Sequence, residues 1–299
     1  MKSSVNKKVL ALFFLNIILV GIACLSYWKL SAPMVSVVMP VYNGAQNNYL
    51  HRSIPSILNQ SFRDFEFIMI DDGSSDNSWQ ILTEYAAKDK RIKLLKNDKN
   101  RGISYSRNRG NDLARGKYIM LMDQDDDNLP DRMLKQVAFM ESRPWLDLVA
   151  TPSVTEMPWI AMHDEDKIKF GLFFDNVFGH PNVMMKRSFL KKNNIRYNET
   201  IKCANDYDLM IRIRDKGGRF GYMYESLFIY NGANYSATQQ CPMDATQIYS
   251  RFSSYDRRKE PKLYLCSVAK MAQETPQYAK LFTPGFLKVA EYRFCQDPL

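Results

Sequence analysis

The sequence predicts an α/β protein built on a mostly parallel sheet with helices on both faces. Three observations predict it. Apolar runs of strand length alternate four times with segments of helical character between residues 35 and 122. Their spacings suit right-handed crossover connections, which parallel strands require. Each of the clearest runs ends in polar or acidic residues, and sheets of this type bind ligands beyond the carboxyl ends of their strands.

The elements follow in order. Residues 35–41, Val-Ser-Val-Val-Met-Pro-Val, have the composition and length of a buried strand. Pro40 lies near its end, where the loss of an N–H is tolerated. Tyr42-Asn43-Gly44 makes the turn, and a helix is expected over residues 49–59, with Leu50, Ile54, Ile57 and Leu58 on one face and Pro55 inside it. Residues 65–70 form the next strand, ending at Asp71-Asp72-Gly73-Ser74-Ser75-Asp76, where Ser75 or Asp76 can cap a helix running to Ala87. Residues 92–95 are the third strand and residues 102–114 the third helix, closed by Gly116. Residues 118–122 are the fourth strand, which runs into Asp123-Gln124-Asp125-Asp126-Asp127.

That acidic run is the most informative stretch of the chain. A spacing of two puts Asp123 and Asp125 on the same side of an extended segment. Carboxylates crowded at a strand end repel one another and stay ionised together when something positive joins them. A divalent cation carrying a diphosphate fits, because Mg²⁺ and Mn²⁺ prefer oxygen ligands and share them with phosphates. A solvated acidic turn is the alternative. Of the adjacent pair Asp71 and Asp72, one carboxylate must face the crevice, where it can accept from a base N–H or a ribose hydroxyl. In Asn100-Arg101-Gly102-Ile103-Ser104-Tyr105-Ser106-Arg107-Asn108, Gly102 permits close backbone approach and Arg107 can reach a phosphate or base.

The second half is less regular. Trp145, Trp159, Phe170, Phe173, Phe174 and Phe178 suit either an acceptor groove or the core, with core preferred. Residues 179–185 read as a loop entering a strand. His180 there is a candidate third metal ligand or phosphate contact, or a buried hydrogen-bonded histidine. A helix is expected from about residue 205, with Asn205 or Asp206 as its N-cap, or with Asp206 as a general base stabilised by the helix dipole. Residues 220–230 are strand-like, and residues 240–299 read as helical pieces.

Composition sets outer bounds. With 299 residues, 45% of them hydrophobic and 13% aromatic, the chain can bury a sizeable core and is not a disordered one. A net charge of +9 suggests an anionic partner, and without an arginine-rich block or nucleic-acid motif no nucleic acid is expected. The five cysteines contain no CxxC pair, so neither a zinc site nor a disulfide framework is indicated. Residues 9–28 are almost uninterrupted apolar sequence, preceded by Lys2, Lys7 and Lys8. That length crosses a bilayer and favours an uncleaved, single-pass N-terminal membrane anchor, with the side of the membrane open.

Taken in order, Val-Ser-Val-Val-Met-Pro-Val-Tyr-Asn, Asp-Asp-Gly-Ser-Ser-Asp, Asn-Arg-Gly-Ile-Ser with Ser-Arg-Asn, Asp-Gln-Asp-Asp and Asn-Asp-Tyr-Asp-Leu resemble the family 2 glycosyltransferases across residues 34–215. The resemblance implies a GT-A type, Rossmann-like fold, a nucleotide-sugar donor with a UDP-sugar favoured, a glycan or glycolipid acceptor, and a Mn²⁺ or Mg²⁺ ion. Asp71 and Asp72 would hold base and ribose, and the turn at Tyr42-Asn43, led into by Pro40, would close over the nucleotide with Gly102, Arg107 and Asp123 nearby. Asp125 would be the principal metal carboxylate assisted by Asp123, beside which His180 is the candidate third ligand read from its own context, and Asp206 would be the catalytic base of an inverting transfer. The family usually carries Glu-Asp where this chain has Asn205-Asp206. The expected division is an anchor at 1–30, a GT-A domain at 34–235 and a helical extension at 236–299. An inactive nucleotide-sugar-binding scaffold of the same fold is the competing expectation.

Overall fold

The computed structural model describes residues 32–154, 178–201 and 204–231, together with Glu165, Ile168, Lys169 and Leu172. The expected anchor, the extension at 236–299, Trp159 and Phe170 lie outside the described residues.

Four strands, β1 (Val35–Val41), β2 (Phe65–Asp71), β3 (Ile92–Lys96) and β4 (Tyr118–Leu121), run parallel in the spatial order β3-β2-β1-β4. The helices between them are α1 (Tyr49–Leu58), α2 (Ser78–Lys88) and α3 (Ile103–Leu113). Every residue of β1 and β2 is buried, so these strands read as continuous apolar runs rather than alternating ones. Beyond β4 the sheet continues through β7 (Val183–Lys186), β6 (Leu148–Ala150) and β8 (Phe220–Tyr222). β7 is antiparallel to both of its neighbours, so it alone of the seven runs against the rest. A separate two-stranded ribbon pairs β5 (Asp127–Asn128) with β9 (Phe228–Ile229). The stretch expected to be strand-like over residues 220–230 is thus two short strands in different sheets. Each is too short to carry a periodic signal of its own.

The two faces have separate cores. On one, Leu50, Ile54 and Ile57 of α1, Leu82 of α2 and the helix α4 (Arg132–Glu141), through Met133, Val137 and Met140, pack against Val37, Met39, Phe67 and Met69. On the other, Val38, Ile68, Ile119 and Leu121 meet the helices α5 (Arg187–Lys192) and α6 (Asn205–Asp215) through Leu190, Leu209, Met210 and Ile213. Helix α3 lies on this second face. A Cβ on its Gly110 would sit 2.4 Å from Val38 Cγ1, so this glycine sets how closely helix and sheet approach. Pro55 lies inside α1 without ending it, since Asn59 N–H still reaches the Pro55 carbonyl at 2.9 Å.

A buried carboxylate stitches the amino-terminal edge of the sheet. Glu66 accepts from Ser36 Oγ at 2.6 Å and from the Arg115 N–H at 2.7 Å, and it pairs with Lys93 Nζ at 2.5 Å. Burial pushes its carboxyl up, but the bonds from Lys93, Ser36 and Arg115 outweigh burial and hold its pKa below the ordinary value. A depressed carboxylate pKa stabilises the fold above the unfolded-state value and loses that effect as pH falls through the folded one. Glu66→Gln is therefore expected to cost about 2 kcal/mol at pH 7 by urea titration. The gap from wild type should narrow as the pH drops below the ordinary carboxylate range. A constant gap would show that packing, and not charge, carries the effect.

Candidate active site

The loops that follow β1, β2, β3 and β4 meet at the carboxyl edge. Gln124 joins the first to the last: its Oε1 accepts the Tyr42 N–H at 2.9 Å and its Nε2 donates to the Tyr42 carbonyl at 3.1 Å. Asn43 adopts a left-handed conformation (φ 48°), and its Oδ1 accepts the Ser75 N–H at 2.9 Å. Asp76 accepts the Ala45 N–H at 3.0 Å. These bonds lock the turn after β1 onto the turn after β2. The Tyr42 ring remains 45% exposed above them. Pro40 is buried within β1, in register with Ile70 of β2, one residue before the strand ends at Val41.

Asp71 and Asp72 divide their tasks. Both oxygens of Asp72 are taken by the protein: Oδ1 accepts from Asn97 Nδ2 at 2.6 Å and the Arg101 N–H at 2.9 Å, and Oδ2 from the Gly102 N–H at 2.9 Å. Asp72 therefore shapes the loop over residues 97–102. Asp71 Oδ1 accepts a long bond from the Ser74 N–H, whereas its Oδ2 is buried with no hydrogen-bond partner. Gly102 has φ 90°, which favours glycine, and no atom lies within 4 Å of where its Cβ would be. Its absent side chain thus leaves open space beside the loop.

Arg107 is the hub. Its guanidinium is buried, donating from Nη2 to Asp123 Oδ1 at 2.7 Å and from Nη1 to Asn205 Oδ1 at 3.1 Å. It lies 5.5 Å from the centre of the Tyr197 ring. Burial works against its charge, but Asp123, Tyr197 and Asp206 outweigh burial and hold its pKa above the ordinary value. Arg107 thus serves as a counter-ion tying the acidic loop to the start of α6, rather than as a side chain reaching for phosphate. Neither Asn205 nor Asp206 caps that helix. The N-cap is Ala204, in a left-handed conformation (φ 52°), which leaves the Asn205 side chain to Arg107.

Asp206 sits in the first turn of α6, half-buried. Burial raises its pKa, and the charge of Asp123 adds to the rise, against the Tyr207 N–H and Arg107, which lower it. Asp125 is raised as well, by burial first and then by Asp123, with Arg52 as the opposing cation. Asp126 points away from the crevice. It is buried, accepts the Asn231 N–H at 3.0 Å and shares its surroundings with the buried Arg132, whose charge lowers a pKa that burial and the neighbouring aspartates raise. Asn231 Nδ2 also donates to Asp127 at 2.9 Å, so the β5–β9 ribbon clamps the far side of the acidic loop.

His180 does not join the carboxylates. Its ring is buried, its Nε2 lies 2.8 Å from Tyr197 Oη, and burial and then Arg107 hold its pKa well below the usual value. Among the described residues no three His, Cys, Asp or Glu side chains form a group able to hold a metal. The expectation of His180 as a third ligand is corrected accordingly: it supports Tyr197 behind Arg107. What remains is a two-carboxylate set, Asp125 with Asp123. Carboxylate oxygens are the donors a hard divalent cation takes, and Asp123 Oδ1 is already engaged by Arg107.

The sequence pattern of Glycosyl transferase family 2 matches residues 36–215 of this chain. The chain belongs to the family 2 glycosyltransferases. It is 36% identical over 222 residues to a protein of Methanocaldococcus jannaschii described as an uncharacterized glycosyltransferase, covering 69% of this chain and 73% of that one. Among solved structures it resembles S. aureus TarS 1–349 in complex with UDP-GlcNAc, with a TM-score of 0.62, 17% identity and coverage of 86% and 88% of the two chains. It also resembles the mannosyltransferase PcManGT of Pyrobaculum calidifontis in complex with GDP-Man and Mn²⁺, with a TM-score of 0.61, 15% identity and coverage of 96% and 98%. At these identities the structural likeness establishes the GT-A fold.

Seen as a glycosyltransferase, the chain uses several residues that its sequence does not single out. Gln124 carries no sequence cue of its own beside the carboxylates, yet it clamps residue 42. Asn97 and Tyr197 give no sequence signal, because their partners Asp72 and Arg107 are brought to them by the fold. Asn205 did give one, as an amide in place of the family's usual carboxylate beside Asp206, and the structure supplies its task as the acceptor for Arg107.

Proposed function

We propose that this glycosyltransferase moves a sugar from a nucleotide-sugar donor to an acceptor hydroxyl with inversion at the anomeric carbon, and that residues 9–28 anchor it to a membrane. The observation that carries the catalytic reading is the Arg107 bridge. One buried cation holds Asp123 of the acidic loop and Asn205 beside Asp206, and this closeness of the acidic loop to the expected base supports a shared site.

The buried, unpartnered Asp71 Oδ2 would accept from a base N–H or a ribose hydroxyl if the loop gives way to the donor, and the exposed Tyr42 ring suits the face of a base. Asp125 and Asp123 would hold a Mn²⁺ or Mg²⁺ ion, which when bound would offset the charge of the departing diphosphate. Asp206 takes the proton of the acceptor hydroxyl as that oxygen attacks the anomeric carbon, and its raised pKa brings it closer to the range in which a base works near neutral pH. A donor bound on one face and an acceptor attacking from the other gives inversion in one displacement. The UDP-sugars are the first donors to try, and a glycan or glycolipid hydroxyl the acceptor.

Melting curves of the full chain against a panel of nucleotide sugars with Mn²⁺ test this. At about 100 times its Kd a ligand stabilises the native state by about 2.7 kcal/mol. For a domain of this size that shifts Tm by about 5–10 °C. Asp71→Asn is expected to remove most of the shift while leaving the melting point of the free protein close to wild type. If no nucleotide sugar moves the melting point of the wild-type chain, the donor assignment fails.

A further inference from the structure

The two edges of the sheet carry different sets of charged side chains. The carboxyl edge gathers Asp71, Asp72, Asp123, Asp125, Asp126 and Asp127. All strands of the main sheet except β7 begin at the other edge. There Asp89, Glu141 and Asp147 are each already paired, with Arg91, Lys117 and Lys186, and the exposed Asp64 accepts the Met34 N–H at 3.2 Å. Arg63, Lys88 and Lys90, all exposed at this edge, form no ion pair among the described residues. Trp145 stands in the turn before β6 at the same edge, 52% exposed, an unusual position for the largest apolar side chain. The Pro144 carbonyl next to it is fixed by Lys186 Nζ at 2.7 Å, so the turn that presents the ring is held in place. The chain also enters the sheet here: β1 begins at Val35, six residues after the apolar run of residues 9–28 and its flanking Lys29.

We propose that this amino-terminal edge is a docking face for an anionic bilayer surface, with Trp145 at the headgroup level and Arg63, Lys88 and Lys90 over the lipid charge. The inference rests on the anchor reading given above. Three independent features favour lipid over a protein partner. A tether of only six residues keeps this edge within reach of the bilayer. Unpaired cations are drawn to anionic headgroups. Tryptophan has its preferred place at the membrane–water boundary. The length of β1, seven residues, then lifts the donor crevice about 20 Å above the headgroups, facing solvent.

The test uses the full chain reconstituted in vesicles of phosphatidylcholine with about one-third phosphatidylglycerol, the phosphatidylcholine brominated near the headgroup in one of two matched sets. The emission lost in Trp145→Phe isolates Trp145 from the other tryptophans. That component is expected to fall at least twofold in the brominated vesicles. It should recover in Lys88→Glu/Lys90→Glu and in about 1 M salt, where screening shortens to about 3 Å. A Trp145 component untouched by bromine in vesicle-bound protein overturns the docking face and leaves the anchor standing. A component that shifts to the blue without being quenched does the same, by placing another protein on the tryptophan. Protein that fails to float with vesicles removes the anchor and the docking face together, while the donor-dependent melting shift would remain as evidence for the catalytic reading.

Discussion

Asp206→Asn is expected to lower turnover by about 10³-fold while leaving donor affinity within a few-fold of wild type. The substitution keeps the size and the hydrogen-bonding reach of the side chain, so the fold of α6 and the Arg107 bridge should survive it. What it removes is the ability to take a proton, an interaction realised only as the acceptor oxygen attacks. Such a loss falls on kcat and spares binding, and a 10³-fold loss corresponds to about 4 kcal/mol of transition-state stabilisation. Wild-type activity should show the matching pH dependence. Burial, reinforced by the charge of Asp123, raises the Asp206 pKa. The base must be ionised to act, so the rate falls as pH drops through a value above that of an ordinary aspartate. Rapid-quench transfer assays across pH, with donor binding measured separately by calorimetry, check both statements. Normal transfer by the variant would show that another group takes the proton.

Asp125→Ala is expected to weaken Mn²⁺-dependent nucleotide binding by about 100-fold or more, since even residues one shell removed from a metal cost 10–100-fold when replaced. A second signature separates this from simple damage. The pKa of Asp125 is raised, first by burial and then by Asp123. A carboxyl whose folded pKa lies above its unfolded one destabilises the native state when it is ionised. Without metal and nucleotide, the alanine variant should therefore melt at or above the wild-type temperature, and the ligand-induced rise should be lost. Strained electrostatics of this kind are a common mark of sites kept for function at the expense of stability. Nucleotide affinity equal to wild type, with and without Mn²⁺, would deny Asp125 its metal role.

The half of the fold that could be read from the sequence is the half made of long, repeated signals. Strands β1 and β2 are seven-residue, fully buried and largely apolar segments, and the segments between the first four strands have helical length and character, so parallel order and the position of the acidic loop followed from topology rules, whereas the N-cap of α2 fell on Asn77 and not on Ser75 or Asp76. The rest resisted for physical reasons. Strands β6, β8 and β9 are two or three residues long, and the reversal of β7 is imposed by its neighbours rather than by its composition. The same contrast holds in the site. That Asp71 would end a strand, Asp125 lie in the loop after β4 and Asp206 fall in the first turn of a helix was legible, since each position follows from a long apolar run or a helical period. That Asp72 is consumed by the 97–102 loop was not, because a buried carboxylate facing ligand and one facing backbone N–H groups are spelled alike. Nor was the Arg107–Asn205 bond, whose partners lie 98 positions apart and meet only through packing. His180 misled because a ligating histidine and a core histidine differ in surroundings and not in sequence.

The Gln124 clamp has a bearing on how this enzyme could diversify. It grips the N–H and carbonyl of residue 42, groups that every amino acid but proline possesses, and makes no use of the tyrosine ring. Position 42 can therefore drift to a different side chain in a descendant lineage without unfastening the acidic loop from the first turn. Base preference could be retuned one substitution at a time, with the reaction chemistry inherited intact.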